Sequence, residues 1–229
     1  MIDIHAHILP CIDDGSTSQD QSFGLLSECA KQGISDLILT PHRRNDYKVS
    51  ALDTQTQFEK FDIQAKEKDI PINLYLGQEV FIDKDYKDLF KSGEFLTLAN
   101  SKYVLIEFSV SEQDDVSEAV YEIARMGYIP IIAHCERYSY LTISDIFEIK
   151  DLGGLIQVNA DSIVGKYKRL FKKRIKELLK NDLVDFVASD VHFGRNNCMQ
   201  KAREYVSKKY GEEIMNKVFI ENAKKILKG

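Results

Sequence analysis

The sequence predicts an α/β fold, a closed or nearly closed barrel of seven β/α units, and three observations carry that prediction. Short β-branched apolar runs alternate with stretches of helical spacing along the 229 residues. The runs are apolar at successive positions, as strands covered on both faces are. Reaching the next strand through 10 to 15 helical residues requires a crossover, which makes the strands parallel. An open doubly wound sheet is the alternative arrangement of the same units.

In chain order, the predicted strands are Ile2–His5, Asp36–Thr40, Ile72–Glu79, Tyr103–Phe108, Ile129–His134, Leu155–Asn159 and Asp185–Asp190. The predicted helices between them are Ser18–Gln32, Asp53–Lys68, Asp114–Met126, Ser144–Leu152 and Tyr167–Asn181. Ser18 is placed to cap the first helix, and Gly33 and Gly127 follow helix ends, where a left-handed residue is often needed. Cys198–Lys209 and Glu212–Leu227 read as terminal helices packed outside the sheet. The basic clusters Lys172–Lys173–Arg174 and Lys208–Lys209 read as solvated faces. No linker or repeat divides the chain, so residues 1–229 are expected to form one domain.

Composition narrows the function classes. Apolar residues make up 44% and charged residues 29%, as in globular domains. The start has no basic region followed by an apolar one, and no run of about 18 apolar residues occurs, so a cytoplasmic protein without membrane insertion is expected. A net charge of −5 argues against nucleic-acid binding, which usually leaves a basic footprint. Cys11, Cys29, Cys135 and Cys198 form no CxxC pair, and none is followed six residues on by the arginine that thiolate phosphatases need.

The chemistry gathers at strand ends. All five histidines (His5, His7, His42, His134 and His192) lie at or just after the C-terminal end of a predicted strand, as do Glu79 and Glu107. Parallel barrels collect function at that end, where loops from separate strands converge. A carboxylate ending an apolar strand is costly unless a cation or donors compensate it. With Asp14 and Asp190, these residues make nine candidate ligands of imidazole and carboxylate type, too many for one ion and suited to two or three of manganese, iron or zinc. Closely spaced cations activate water and clamp phosphoryl oxygens. Arg43, Arg44, Arg137 and Arg195 follow candidate ligands closely, and their planar forks match phosphate, which makes them the expected substrate-binding residues.

Several words of the sequence strengthen this reading. They are Met1-Ile2-Asp3-Ile4-His5-Ala6-His7, Asp13-Asp14-Gly15, His42-Arg43-Arg44, Leu105-Ile106-Glu107-Phe108-Ser109, His134-Cys135-Glu136-Arg137-Tyr138, Gln157-Val158-Asn159 and Ala188-Ser189-Asp190-Val191-His192. In order and spacing they resemble the PHP (polymerase and histidinol phosphatase) superfamily. Within it they are most similar to the bacterial tyrosine-protein phosphatases of the CpsB/YwqE type. The resemblance implies a distorted seven-stranded barrel holding three divalent ions, usually manganese. It implies a first ion on His5, His7, Glu79 and Asp190, a second on Glu79, Glu107 and His134, and a third on Asp14, His42 and His192. Asp13 is interchangeable with Asp14 at this point. Arg137 and Arg195 match the family's substrate arginines, and with Asp190 they are the expected catalytic residues.

The implied substrate is the tyrosine-phosphorylated tail of a bacterial tyrosine kinase that controls capsule and exopolysaccharide assembly. Attack on phosphorus is expected to be direct, without a phosphoenzyme. Glu107 stands where many PHP enzymes carry histidine, which favours the tyrosine-phosphatase branch. The loop after His192 is shorter than usual, and Ala223 follows Asn222 where proline is common. The rival functions are hydrolysis of a small phosphomonoester such as histidinol phosphate, a proofreading nuclease, and a non-catalytic partner that sequesters the phosphorylated tail. Both a monomer and a ring-like homo-oligomer remain open.

Overall fold

A computed structural model describes residues 1–47, 49–165 and 169–228. Parallel strands alternate with helices in a TIM-like α/β arrangement. Strands β1 (Ile2–Asp3), β2 (Asp36–Leu39) and β4 (Asn73–Leu76) form one hydrogen-bonded group in the order β1-β2-β4. The second group comprises β3 (His42–Arg43), β5 (Glu79–Phe81), β6 (Tyr103–Glu107), β7 (Ile129–Ile132), β8 (Leu155–Asn159) and β9 (Phe186–Ala188), paired in that order.

Every predicted strand is present, but Ile72–Glu79 is divided, and β3 is a short strand beyond the predicted Asp36–Thr40. Pro41 has no N–H to give the ladder and separates β2 from β3. The predicted strand Ile72–Glu79 divides into β4 and β5 at Gly77-Gln78. A Cβ at Gly77 would stand 2.6 Å from Leu98 Cδ2 and 3.1 Å from Leu98 Cα, so any side chain at this turn would displace Leu98. Two hydrogen bonds cross the break, from Gly77 N to Leu39 O (2.9 Å) and from Glu79 N to Pro41 O (3.2 Å). The first and last strands are joined beyond their ends. Ala6 bridges Val191 in parallel, Asp190 N donates to His5 O (2.9 Å), and His7 N donates to Val191 O (3.0 Å).

Helices α1 (Gln19–Lys31), α2 (Ala51–Glu67), α4 (Val116–Arg125) and α5 (Ile143–Asp151) lie within two residues of their predicted bounds. Ser18 caps α1 as expected, accepting a hydrogen bond from Gln21 N, and Gly33 and Gly127 take the left-handed conformation. The predicted start of the next helix, Tyr167, lies outside the described residues; α7 runs Arg169–Lys180. Two short helices escaped the sequence reading. α3 (Tyr86–Ser92) and α6 (Ala160–Val164) are too short to display an amphipathic period. The predicted terminal stretch Glu212–Leu227 is helical throughout, from α9 (Glu212–Asn216) through a π-helical turn into α10 (Asn222–Leu227), and α8 (Met199–Tyr210) precedes it.

Two apolar clusters follow the period-two alternation of the strands. Leu37, Leu39, Val104, Ile106, Ile156 and Val158 face the helices in the larger one. Ile38, Leu105, Ile131, Phe186 and Ala188 face inward, with Ala223 and Ile226 of α10 packed against them. Asn222 Nδ2 donates to Asp185 O (3.0 Å), anchoring α10 in a position the sequence reading had placed outside. Inward positions nearer the C-terminal strand ends are polar: Glu107, Gln157 and Asn159 continue the alternation that begins with Leu105 and Leu155. The sheet therefore carries its chemistry on the same face as its inner core, displaced toward one end.

Candidate metal centre

The five histidines and four carboxylates gather in one basin. His5 and His7 leave β1 two residues apart, so alternation turns both rings inward. Their Nε2 atoms lie 3.1 Å apart, and each is within 3.3 Å of one oxygen of Glu79. His42 Nδ1 is 3.0 Å from Glu79 Oε2 and 3.7 Å from Glu107 Oε2. His134 Nε2 is 3.0 Å from Glu79 Oε1 and 3.5 Å from Glu107 Oε1. Asp14 Oδ1 stands between His42 Nε2 (3.4 Å) and His192 Nε2 (3.3 Å), and Asp190 Oδ1 is 3.5 Å from His5 Nε2.

The ring orientations are set from behind. His7 Nδ1 meets Asp13 Oδ2 at 2.7 Å, and His5 Nδ1 meets Gln157 Oε1 at 3.1 Å. His192 Nδ1 faces the Asp190 carbonyl at 3.0 Å. Each of these contacts leaves Nε2 facing the basin, an arrangement that metal-binding histidines favour. Asp13 and Asp14 are turned in different directions. Asp13 spends its oxygens on His7 Nδ1, His42 N and Gly15 N, while Asp14 points at His42 and His192.

The same loop shows why Gly15 follows the two acids. A Cβ on Gly15 would fall 2.2 Å from His7 O and 2.5 Å from His7 Cβ, so the loop closes on the His7 backbone only without a side chain. His134 (φ 32°) and Asp190 (φ 50°) occupy the left-handed region at strand ends, where a non-glycine residue is strained by about 1–3 kcal/mol.

Charge explains what holds the basin together. Burial alone would raise Glu79, which is 1% exposed, but the imidazoles of His5 and His42 outweigh it and hold the carboxyl well below the usual range. Burial opposes charge on His7, yet Asp13 lifts the ring to about 9. Burial likewise opposes charge on His42 and His134; Glu79 chiefly raises the former to about 11, and Glu107 with Glu79 raises the latter to about 9. His192 is lowered by burial and by His7.

Three buried atoms of the basin nevertheless make no hydrogen bond of good geometry, short as their charge contacts are: His42 Nδ1, Glu79 Oε2 and Glu107 Oε2. They face one another, and an unmet buried polar atom is costly. A cation there would meet all three at once. Three sets of ligand atoms lie within 4.8 Å of one another: His7, Asp14, His42 and His192; His5, His7 and Asp190; and His42, Glu79 and Glu107. The donor set, nitrogen and carboxylate oxygen without sulfur, fits divalent first-row metals.

The arginines divide. Arg137 Nη2 donates to Asp190 Oδ2 at 2.7 Å, and Arg195 Nη1 lies 3.7 Å from the same oxygen at the rim. Arg43 and Arg44, expected from the sequence to bind substrate, make their contacts outside the ligand cluster. Arg43 Nε donates to Glu94 O, while Arg44 pairs with Asp46 and lies over the Phe81 ring. Arg43 ends β3 and Arg44 follows it, and their side chains are engaged by the Glu94 carbonyl, Asp46 and the Phe81 ring. Sequence reasoning gave no role to Tyr138, whose hydroxyl accepts from Phe108 N and lies 3.4 Å from His134 Nδ1. Its adjacency to the His134–Arg137 stretch was the available signal.

The arrangement has relatives. A family described as "Capsular polysaccharide synthesis, CpsB/CapC" matches residues 1–228. The chain belongs to the CpsB/CapC family. It is 34% identical over 242 residues to the tyrosine-protein phosphatase CpsB of Streptococcus agalactiae, covering 100% of this chain and 98% of that one. It is 32% identical over 234 residues to the tyrosine-protein phosphatase YwqE of Bacillus subtilis, covering 100% and 92% respectively. A solved structure from a study of YwqE of Bacillus subtilis and CpsB of Streptococcus pneumoniae, described as unique metal-dependent tyrosine phosphatases, superposes with a TM-score of 0.93. That match has 30% identity and covers 100% of this chain and 94% of the other. A histidinol phosphate phosphatase from Lactococcus lactis, at 15% identity and a TM-score of 0.61 over 90% of this chain and 92% of its own, shares the fold.

Proposed function

We propose that this CpsB/CapC-family chain is a metal-dependent protein-tyrosine phosphatase acting in capsular or exopolysaccharide synthesis. Its substrate in this reading is the phosphorylated tail of a bacterial tyrosine kinase, met in the cytoplasm. The observation that carries the proposal is the convergence of nine distant ligand-type residues on a basin where three buried polar atoms make no hydrogen bond of good geometry. The relatives' named activity supports it.

The nine strand segments are inferred to be seven barrel strands, with β2 and β3 one bent strand and β4 and β5 another. The bonds across the break and those between His5–His7 and Asp190–Val191 support a closed (β/α)7 barrel acting as one domain over residues 1–229. Among the described residues no helix is long and apolar enough to cross a membrane.

Three divalent ions, manganese in the first instance with iron or zinc as alternatives, would be held by His5, His7, Glu79 and Asp190; by Glu79, Glu107 and His134; and by Asp14, His42 and His192. The proximity of His42 to both Glu79 and Asp14 places it beside two of these sets. When bound, such ions would acidify a water and neutralise charge on phosphoryl oxygens.

The chain's own residues do the remaining work. Arg137, held in place by Asp190, presents its free guanidinium edge to an incoming phosphoryl group, and Arg195 adds a second positive charge at the rim. Tyr47 lies parallel to His42 with ring centroids 5.6 Å apart, an aromatic wall suited to a phenolic leaving group. No reactive thiolate lies in the basin. Burial pushes the Cys135 thiol up to about 12, which supports direct attack by water over a cysteinyl-phosphate route.

Single-turnover hydrolysis of a phosphotyrosine peptide in 18O-water, with manganese present, should place the label in phosphate. Phosphoserine peptides and small phosphomonoesters should turn over far more slowly. A trapped phosphoenzyme, or a preference for a small phosphate ester, would overturn the proposal.

A further inference from the structure

Strand β8 places two uncharged amides, Gln157 and Asn159, on the inner face beneath the basin. Gln157 is fully buried and Asn159 is 1% exposed. Neither is a metal ligand in the reading above, and an apolar pair would continue the inner core without demanding partners. Their hydrogen bonds, taken in order, leave only one orientation for each group.

The chain begins at the backbone N–H of His134, which can only donate. It lies 2.8 Å from Gln157 Oε1, so that atom is the amide oxygen. The same oxygen lies 3.1 Å from His5 Nδ1. An amide oxygen cannot donate, so His5 Nδ1 must carry a proton, and in the neutral ring that leaves the Nε2 lone pair for the basin. Gln157 Nε2 then donates to Asn159 Oδ1 at 2.8 Å, which turns Asn159 Nδ2 toward Asp190 Oδ2, also at 2.8 Å. The Asn159 backbone is pinned in turn by the buried Glu136 carboxylate, 3.2 and 3.4 Å from its N–H. Asp190 Oδ2 thus accepts from Asn159 and from Arg137, leaving Oδ1 as the oxygen that faces His5, His7 and His192.

We propose that Gln157 and Asn159 are positioning residues that form a directional amide relay from the His134 backbone to Asp190. The relay fixes His5 in its Nδ1–H form and turns Asp190 Oδ1 into the basin. It rests on the metal reading of the basin, and it couples three ligand candidates from three different strand ends. Neutral imidazole in water prefers the Nε2–H form, which would aim a proton at the cation. The relay selects the form that can ligate. Its polarity comes from a single backbone N–H and does not depend on any ionisation.

The test uses the full chain labelled with 15N at histidine. In metal-free protein with the His5 ring neutral, the ring nitrogen shifts should report Nδ1 protonated and Nε2 bare. In Gln157→Met the ring should revert to the Nε2–H form, and zinc affinity, measured by competition with a chromophoric chelator, should fall about 10–100-fold. Gln157→Glu keeps an acceptor for both His134 N–H and His5 Nδ1–H but sets an oxygen against Asn159 Oδ1. It should retain the Nδ1–H form while still losing zinc affinity, which separates the two ends of the relay.

An Nε2–H ring in the wild type would overturn the proposal, whether or not either variant folds. So would a folded Gln157→Met that keeps the Nδ1–H form and binds zinc within twofold of the wild type. A wild type that holds the Nδ1–H form yet takes up no zinc would sink the metal reading and leave the orientation device standing.

Discussion

Replacing Gly15 by alanine should damage the basin out of proportion to one added methyl group. The new Cβ would lie 2.2 Å from His7 O, 2.5 Å from His7 Cβ and 2.7 Å from the His7 carbonyl carbon. Ordinary contact begins at 3.4 Å, so the loop must retreat by more than 1 Å, and two of the three atoms it meets are backbone. Three contacts retreat with it: Gly15 N on Asp13 Oδ1, Gly15 O under Phe193 N, and Asp14 between His42 and His192. Overpacking of this kind costs roughly 1–3 kcal/mol of stability. A displacement of about 1 Å at a reacting centre costs on the order of 100-fold in rate. The assay is kcat/KM on a phosphotyrosine peptide at saturating manganese, beside a thermal melt and a metal titration. A Gly15→Ala protein within threefold of wild type, with a matching Tm, would refute the claim that this loop is seated by the missing side chain.

Further outcomes follow from the structure. Asp13→Asn should lower metal affinity about 10–100-fold without removing a ligand, because the amide NH2 must face either Gly15 N or the His7 and His42 donors; calorimetric titration of manganese checks it. Arg137→Lys should reduce kcat/KM by roughly 100- to 1,000-fold while metal content is kept, since Asn159 still holds Asp190 Oδ2 and lysine lacks the fork. Metal uptake should expel protons. His7 and His134 at about 9 and His42 at about 11 are charged at pH 7 in metal-free protein and must be neutral to ligate, so apparent affinity rises with pH and the buffer acidifies on titration. Because these pKa values are raised, the ion pairs they make stabilise the metal-free fold at neutral pH, and that contribution is lost as pH climbs through about 9 and then about 11. Asp185→Asn, far from the basin, should cost about 1.5–3 kcal/mol by weakening the grip on Lys150 Nζ and Ile156 N while leaving kcat intact; urea melts and kinetics at low temperature separate the two effects.

Much of this was legible in the sequence, for identifiable reasons. Alternation of apolar runs with helical stretches predicts parallel strands, and all five histidines at strand ends predict one shared basin. The breaks at Pro41 and Gly77 were legible only in part. Proline forbids a ladder bond wherever it stands, but the closeness of Leu98 to Gly77 is a tertiary fact. Asp13 and Asp14 could not be told apart because neighbouring acids in a tight turn differ only in which way the fold points them. The directions of Arg43 and Arg44 were illegible for a similar reason. Position after a ligand gives nearness along the chain, whereas their direction is set by Glu94, Asp46 and Phe81. The amides of β8 carried a signal that went unused: in Leu155-Ile156-Gln157-Val158-Asn159, the polar residues share the inward phase with Leu155.

The left-handed backbone at His134 and Asp190 has a consequence for anyone seeking a hardier version of this protein. Glycine is the residue those two positions would tolerate most comfortably, and asparagine comes next. A selection that rewards heat resistance alone should therefore drift toward glycine there, relieving the chain while erasing an imidazole or a carboxylate. Robustness and turnover would part company at these two sites before most others, so a library built for durability should hold both fixed.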